Sequence, residues 1–287
     1  MPIFKKRRLL LICGGVLAHL SFAVTDAKAH FLIVGGGDLP EEAVHQFVDW
    51  AGGSRAHILI VPWASSDCDD SFETYKSFFE GNDAKPEVEQ AVNPDVLAND
   101  EGRRQFLTQL SRSTGLFFGG GDQVRLMDAL RQSRALQKLR ELVVNGFPMG
   151  GSSAGAAIFS QRMLTGRASQ TADGVGVLQA NIIVDQHFLE RQRKARLKSA
   201  LRSWMRDFMN QKKTRPPSVF GIGIDRNTAL LVDGGDLRAV GRSKVVFIEL
   251  QDDQKEGVFR EKEYANEKIS MTHSIALKPT QPSIATH

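Results

Sequence analysis

The stretch Met149-Gly150-Gly151-Ser152-Ser153-Ala154-Gly155-Ala156-Ala157 follows a helix-like run from Arg134 to Val144, an Asn145-Gly146 stop and the short apolar Phe147-Pro148. It leads into Ile158-Phe159, so the order predicts strand, sharp turn, helix. Gly151-x-Ser153-x-Gly155 has the spacing of a nucleophile elbow, in which a serine sits in a strained turn and glycines on both sides remove Cβ atoms that would clash. Ser152 lacks the same flanking pair, which makes Ser153 the candidate nucleophile. The helix after it would bring free N–H groups and a positive end to the place where an oxyanion forms. A tight small-residue turn that packs a helix on a strand explains the same pentapeptide without chemistry, so the elbow needs partners elsewhere in the chain.

Upstream of the elbow, short apolar strands alternate with amphipathic helices. Phe31-Leu-Ile-Val34 runs into Gly35-Gly36-Gly37-Asp38, and Pro40 opens a helix with Glu41 and Glu42 in its first turn that ends at Gly52-Gly53. Ile58 to Val61 is the next strand, Asp70 to Glu80 a helix, Pro86 to Val92 a weaker strand, and residues 103 to 111 a helix leading to strand Leu116-Phe117-Phe118. This alternation predicts a mostly parallel sheet covered on both faces, flavodoxin-like in plan, with ligands at the carboxyl ends of the strands. Three glycine clusters fall at such ends: Gly35 to Gly37, Gly119 to Gly121 and Gly150 to Gly155. A dinucleotide fingerprint at the first fails, because the third glycine position is Pro40. After a basic helical run from Glu190 to Met209 and a loop-like Lys212 to Pro217, the segments Val219 to Ile224, Thr228 to Val232, Leu237 to Val240 and Val245 to Leu250 read as an antiparallel finish. One late strand, Ile269 to Leu277, and a polar tail follow, within a single domain running from residue 30 to the end.

The first 29 residues read as an export signal outside that domain. Lys5-Lys6-Arg7-Arg8 is a basic start, Leu9 to Val24 a largely apolar run, and Ala27-Lys28-Ala29 an A-x-A cleavage pattern. Five basic residues (Lys5, Lys6, Arg7, Arg8, Lys28) and one acid (Asp26) leave with it, which cancels the whole formal net charge of +4. The remaining charge gives no argument for nucleic-acid binding, and cleavage would leave no stable membrane insertion. Cys68 is then the only thiol, so no intrachain disulfide is available to an exported protein. No Cys/His cluster has ligand spacing, so neither a metal nor an organic cofactor is implied. A homodimer is left open.

A serine hydroxyl needs a base. His30 and His287 lie near chain ends, His45 on a helix and His57 at a strand start, whereas His187 ends the apolar segment Val184-Asp185-Gln186-His187-Phe188 downstream of the serine, where a loop brings it over the elbow or a core position satisfies it. The natural oxyanion donors are the N–H of Ala154 and one from Gly120 or Gly121, with Asp122 capping the next helix and Gln123 free to face substrate.

Taken together, Phe117-Phe-Gly-Gly-Gly-Asp-Gln123, Gly151-Ser-Ser-Ala-Gly-Ala-Ala157, Asp185-Gln-His-Phe188, Gly221-Ile-Gly-Ile-Asp225 and Thr228-Ala-Leu resemble the cyanophycinases, relatives of the aspartyl dipeptidase peptidase E and, more distantly, of class I glutamine amidotransferase domains. Five motifs in the same order are far more specific than any one of them. The resemblance implies a serine exopeptidase that takes cyanophycin, a polyaspartate backbone with arginine on each β-carboxyl, and releases β-Asp-Arg dipeptides. It implies Ser153 as nucleophile, His187 as base, and a substrate pocket lined by Gln123, Asp185, Gln186, Arg191, Arg193 and Arg196. Guanidinium and amide groups suit a substrate rich in carboxylates, and Asp185 suits its arginines. The same arginines read as a solvated helix face. Arg193 and Arg196 lie about 60° apart on a helix, and Arg191 joins them only if the helix starts after it.

One position departs from the resemblance. Its pattern Gly-Ile-Asp-Glu-x-Thr-Ala carries the third triad member as the glutamate, and here Arg226 stands there. An arginine beside His187 would oppose an imidazolium. Asp225 is one replacement, although neighbours on a strand point to opposite faces; Asp173 is another. Failing both, the expectation is a weak enzyme or a binding protein without turnover; a dipeptidase or other acyl hydrolase of related fold and different specificity is the rival enzyme reading.

Overall fold

A computed structural model describes residues 29–179, 181–212, 218–251 and 258–269. The export segment up to residue 28, residues 213–217 of the loop-like stretch, and the late strand and tail beyond Ile269 lie outside the described residues.

The elements run β1 (His30–Val34), α1 (Glu41–Trp50), β2 (His57–Val61), α2 (Cys68–Glu80), β3 (Glu87–Gln90), α3 (Asp100–Arg112), β4 (Gly115–Phe118), α4 (Gln123–Ser133), α5 (Leu136–Val144), β5 (Met149–Ser152), α6 (Ala154–Ala157), β6 (Arg162–Leu164), β7 (Thr171–Asp173), β8 (Ile182–Gln186), α7 (Lys194–Lys212), β9 (Val219–Ile224), β10 (Thr228–Asp233), β11 (Asp236–Gly241), β12 (Val245–Gln251), β13 (Val258–Tyr264) and β14 (Glu267–Ile269). Among the described residues, eight strands form one sheet in the order β14-β11-β10-β1-β5-β4-β2-β3. Its centre, β1, β5, β4, β2 and β3, is parallel, while β10, β11 and β14 add antiparallel strands beyond β1. This is the mixed α/β architecture expected from the alternation of strands and helices.

Strand alternation sends side chains to two cores. Phe31, Ile33, Leu59, Val61, Leu116 and Phe118 belong to one, and Leu32, Val34, Ile58, Ile60 and Phe117 to the other. With both faces covered, the central strands read as continuous apolar runs.

The antiparallel finish is present but divided between two sheets. β10 and β11 join the large sheet, whereas β9 and β12 enter a second, four-stranded sheet in the order β13-β12-β9-β8, in which β9 lies parallel to β8. The physical reason is the all-buried Val219-Phe-Gly-Ile-Gly-Ile224, which takes β8 as its neighbour and α7 as its cover. Leu197, Ala200, Leu201 and Trp204 of α7 share a core with Ile183, Val219, Val246 and Ile248. The ends of β1, β4, β5, β8 and β9 all carry residues of the site described next.

Candidate active site

Ser153 leaves β5 with φ 51° and ψ −110°, a conformation that costs an L-residue energy and persists only where its surroundings impose it. Those surroundings are close-packed backbone. A Cβ on Gly155 would lie 2.2 Å from the Phe118 carbonyl oxygen, and one on Gly151 would lie 2.4 Å from the Gly155 carbonyl oxygen. The Ser153 N–H donates to the Val34 carbonyl at 3.0 Å, which ties the bend to β1. The turn therefore combines the tight helix-on-strand packing with a raised serine.

His187 meets it. Its Nε2 lies 3.1 Å from Ser153 Oγ. The histidine also has a positive φ, 48°, and its N–H donates to the Gly35 carbonyl at 2.8 Å. The ring rests on Gly36, where a Cβ would come within 2.3 Å of Nε2. The first glycine cluster is thus the bed of the imidazole, a use that its spacing alone did not disclose.

On the far side of the ring, Nδ1 lies 2.8 Å from Glu190 Oε2, and the other Glu190 oxygen accepts from Arg226 Nη1 at 3.2 Å. The basic run predicts a helix from Glu190, but α7 starts at Lys194, and residues 187 to 193 form turns in which Gln192 also has a positive φ. The signal that marks it is a lone acid three residues after the histidine in an otherwise basic run. Burial pushes the His187 imidazole below its ordinary value; Glu190 opposes that, and Arg191 and Arg193 reinforce it. The hydrogen bonds from His187 and then Arg226 hold the Glu190 carboxyl below the usual carboxylate range.

Asp225 does not orient the histidine. Its carboxylate accepts from the N–H groups of Leu189 (3.0 Å) and Glu190 (2.9 Å) and from Ser243 Oγ (2.7 Å). Burial pushes this carboxyl up, but the hydrogen bonds from Glu190, Ser243, Arg226 and Leu189 outweigh it and leave it low. Arg226 points at Glu190 and packs over Gly37, where a Cβ would meet its Cγ at 2.7 Å. Asp173 lies on β7, exposed, opposite Arg162.

The oxyanion side needs two corrections. α6 is four residues long, so its dipole is small, and what it offers is the N–H of Ala154 at its first turn. Gly120 does lie against the nucleophile, with its Cβ position 3.4 Å from Ser153 Cβ, but its N–H already donates to the Tyr75 hydroxyl at 2.9 Å. Gly121, at φ 135°, packs on Ala64, whose carbonyl oxygen would lie 2.3 Å from a Cβ there. Tyr75 is a neighbour that the sequence reading missed. Burial pushes its phenol up, so it stays protonated.

The expected substrate residues divide. Gln123 is 4% exposed and its amide donates to the Leu164 carbonyl at 2.9 Å, so it ties α4 to β6 instead of facing an open pocket. Asp185 is fully buried and already holds Arg193 (3.5 Å) and Arg196 (Nε, 3.1 Å, with a second contact through Nη2), which leaves it no free oxygen for a substrate arginine. Burial pushes its carboxyl up against the pull of both guanidiniums. Arg193 also donates to the Gln186 carbonyl at 2.6 Å. Gln186 is 4% exposed, and its side-chain oxygen has no hydrogen-bond partner among the described residues. Arg191 is exposed and close enough to depress His187. Because α7 begins after all of residues 187 to 193, Arg193 and Arg196 converge on Asp185 and Arg191 stays separate. No group of three or more His, Cys, Asp or Glu among the described residues is placed to hold a metal ion.

Comparison with known proteins places the chain in a family. The sequence pattern of peptidase family S51 matches residues 31–240. Curated relatives include the cyanophycinase of Synechococcus elongatus, 34% identical over 72% of this chain and 62% of its own length, and that of Trichormus variabilis, 30% identical over 77% and 74%. The match therefore spans less than two thirds of the first of these relatives. Among solved structures, a peptidase from an acI-B1 actinobacterium superposes with a TM-score of 0.59 at 23% identity, covering 85% of this chain and 98% of that one. A putative peptidase E protein from Listeria monocytogenes EGD-e gives 0.51 at 16% identity, covering 76% and 100%; both show a shared fold. With its pattern running from the first strand through β11 and its curated relatives reaching 30% identity and more, the chain belongs to peptidase family S51.

Proposed function

We propose that this protein is a serine exopeptidase of the cyanophycinase kind, cleaving β-linked aspartyl bonds to release β-Asp-Arg, and that its first 29 residues direct export. The observation that carries the reading is the 3.1 Å contact between Ser153 Oγ, on its strained elbow, and His187 Nε2. Ser153 Oγ attacks the scissile carbonyl as His187 Nε2 takes its proton. The tetrahedral oxyanion forms beside the Ala154 N–H. Collapse expels the amine, which takes the proton back from His187, and water repeats the sequence on the acyl-enzyme to free Ser153. The exposed Arg191 supplies a cation for a substrate carboxylate.

Incubation of the protein with cyanophycin, with dipeptide release followed by mass spectrometry, tests the substrate. β-Asp-Arg is expected from the wild type and not from Ser153→Ala. Cleavage of ordinary α-peptides with cyanophycin left intact would assign a different specificity. N-terminal sequencing of the protein from an envelope fraction tests export, and retention of Met1 there would reject it.

A further inference from the structure

The geometry points to Glu190 as the residue that positions His187, with Arg226 holding its carboxylate in place; the inference rests on Ser153 and His187 being the reacting pair. Glu190 acts through the histidine and is a positioning residue. Its Oε2 lies 2.8 Å from Nδ1, on the side of the ring opposite Ser153. A charged acceptor there favours the tautomer with its proton on Nδ1, which leaves the Nε2 lone pair for the serine proton.

The other acids near the site are engaged. Both oxygens of Asp225 accept hydrogen bonds from the turn and from Ser243, and both of Asp185 are taken by arginines. Glu190 itself is held twice by adjacent residues of the segment after β9. Asp225 receives its N–H at 2.9 Å, and Arg226 donates to its Oε1 at 3.2 Å. This gives Arg226 a constructive place. Alone beside an imidazole, a guanidinium would disfavour the protonated ring; with Glu190 between them, it fixes the carboxylate that favours it. The charged groups facing His187 are Glu190, Arg191 and Arg193 on its own turn and Arg226 through Glu190, while Gly35 to Gly37 present backbone. Because Glu190 is the one member of that set that favours the imidazolium, its loss leaves the two arginines and burial unopposed.

Three variants of the full chain test this: Glu190→Gln, Glu190→Asp and Arg226→Met, each followed by histidine NMR titration and by the pH dependence of kcat and KM. Glu190→Gln is expected to lower kcat by about 10² to 10⁴-fold with little change in KM, and to move both the His187 titration and the acid limb of kcat to lower pH. Glu190→Asp recovers part of the rate and of the shift, and Arg226→Met costs less than about tenfold. A Glu190→Gln protein with kcat within about threefold of wild type and an unmoved His187 titration overturns the assignment. If that variant fails to fold, the conservative Glu190→Asp and the Arg226→Met titrations decide, and an unmoved His187 in both overturns it. A wild type without turnover defeats the proposed function, whereas the His187 titration still reports on Glu190.

Discussion

Ser153 and His187 meet at 3.1 Å, yet the two sides of that contact are built by different means. The serine side is specified mostly within residues 151 to 155, whose glycines let α6 lie on β5 and β4, with one long-range tie from the Ser153 N–H to Val34 of β1. The histidine side is assembled at long range. Gly35 and Gly36 come from the end of β1, Asp225 and Arg226 from the end of β9, and Glu190 closes the ring from within the turn. An element specified mostly by its own stretch depends on fewer outside contacts than one assembled from three chain segments. The nucleophile is therefore the less exposed half of the pair to distant changes and the base the more exposed.

Substitutions that separate the halves sharpen this contrast. Ser153→Ala removes the nucleophile and is expected to lower kcat by about 10⁴-fold or more with stability nearly unchanged, measured on β-aspartyl substrate and by thermal unfolding. Gly36→Ala places a methyl group into His187 Nε2, so the ring must move; kcat is expected to fall about 10²-fold although the serine elbow is intact. A fall of less than threefold would show that the imidazole does not depend on its glycine bed. Asp225→Asn weakens the ties to the Leu189 and Glu190 amides, with an expected loss of about 1 to 3 kcal/mol in urea unfolding and a smaller loss of rate.

The same residue gives a pH signature. The Asp225 carboxyl lies below its ordinary value, so its contribution to stability is present above the unfolded pKa, about 3.9, and is lost as pH falls through the folded value. The wild type and Asp225→Asn should therefore differ at neutral pH and converge in acid. Tyr75→Phe, the mildest change, frees the Gly120 N–H and is expected to alter kcat only a few-fold while costing about 1 kcal/mol.

The same division explains what could be read in the sequence. The strands and helices up to β5 and the elbow at Ser153 were legible because hydrophobic period and glycine spacing are local signals. His187 was legible as a candidate from its place after an apolar segment. Glu190 was not, since its function depends on where α7 starts, and the basic run hid the turns that delay that start to Lys194. The β6–β7 hairpin was missed because its strands are three residues each, and β13 because its side chains are mostly exposed and charged, without an apolar alternation. The division of β9 to β12 between two sheets depends on pairing with β8 and β10, which no single segment announces. Gln123 and Asp185 carry a role facing substrate only through the motifs, whereas their polar atoms serve Leu164 and the arginines.

The central claim is that His187 activates Ser153. Its most direct test is labelling with a fluorophosphonate probe at neutral pH, with the modified residue located by mass spectrometry in the wild type and in a folded His187→Ala variant. The expected result is one adduct, on Ser153, that disappears with the histidine. A folded wild type that takes no label there, or a His187→Ala variant labelled at Ser153 as fast as the wild type, would contradict it.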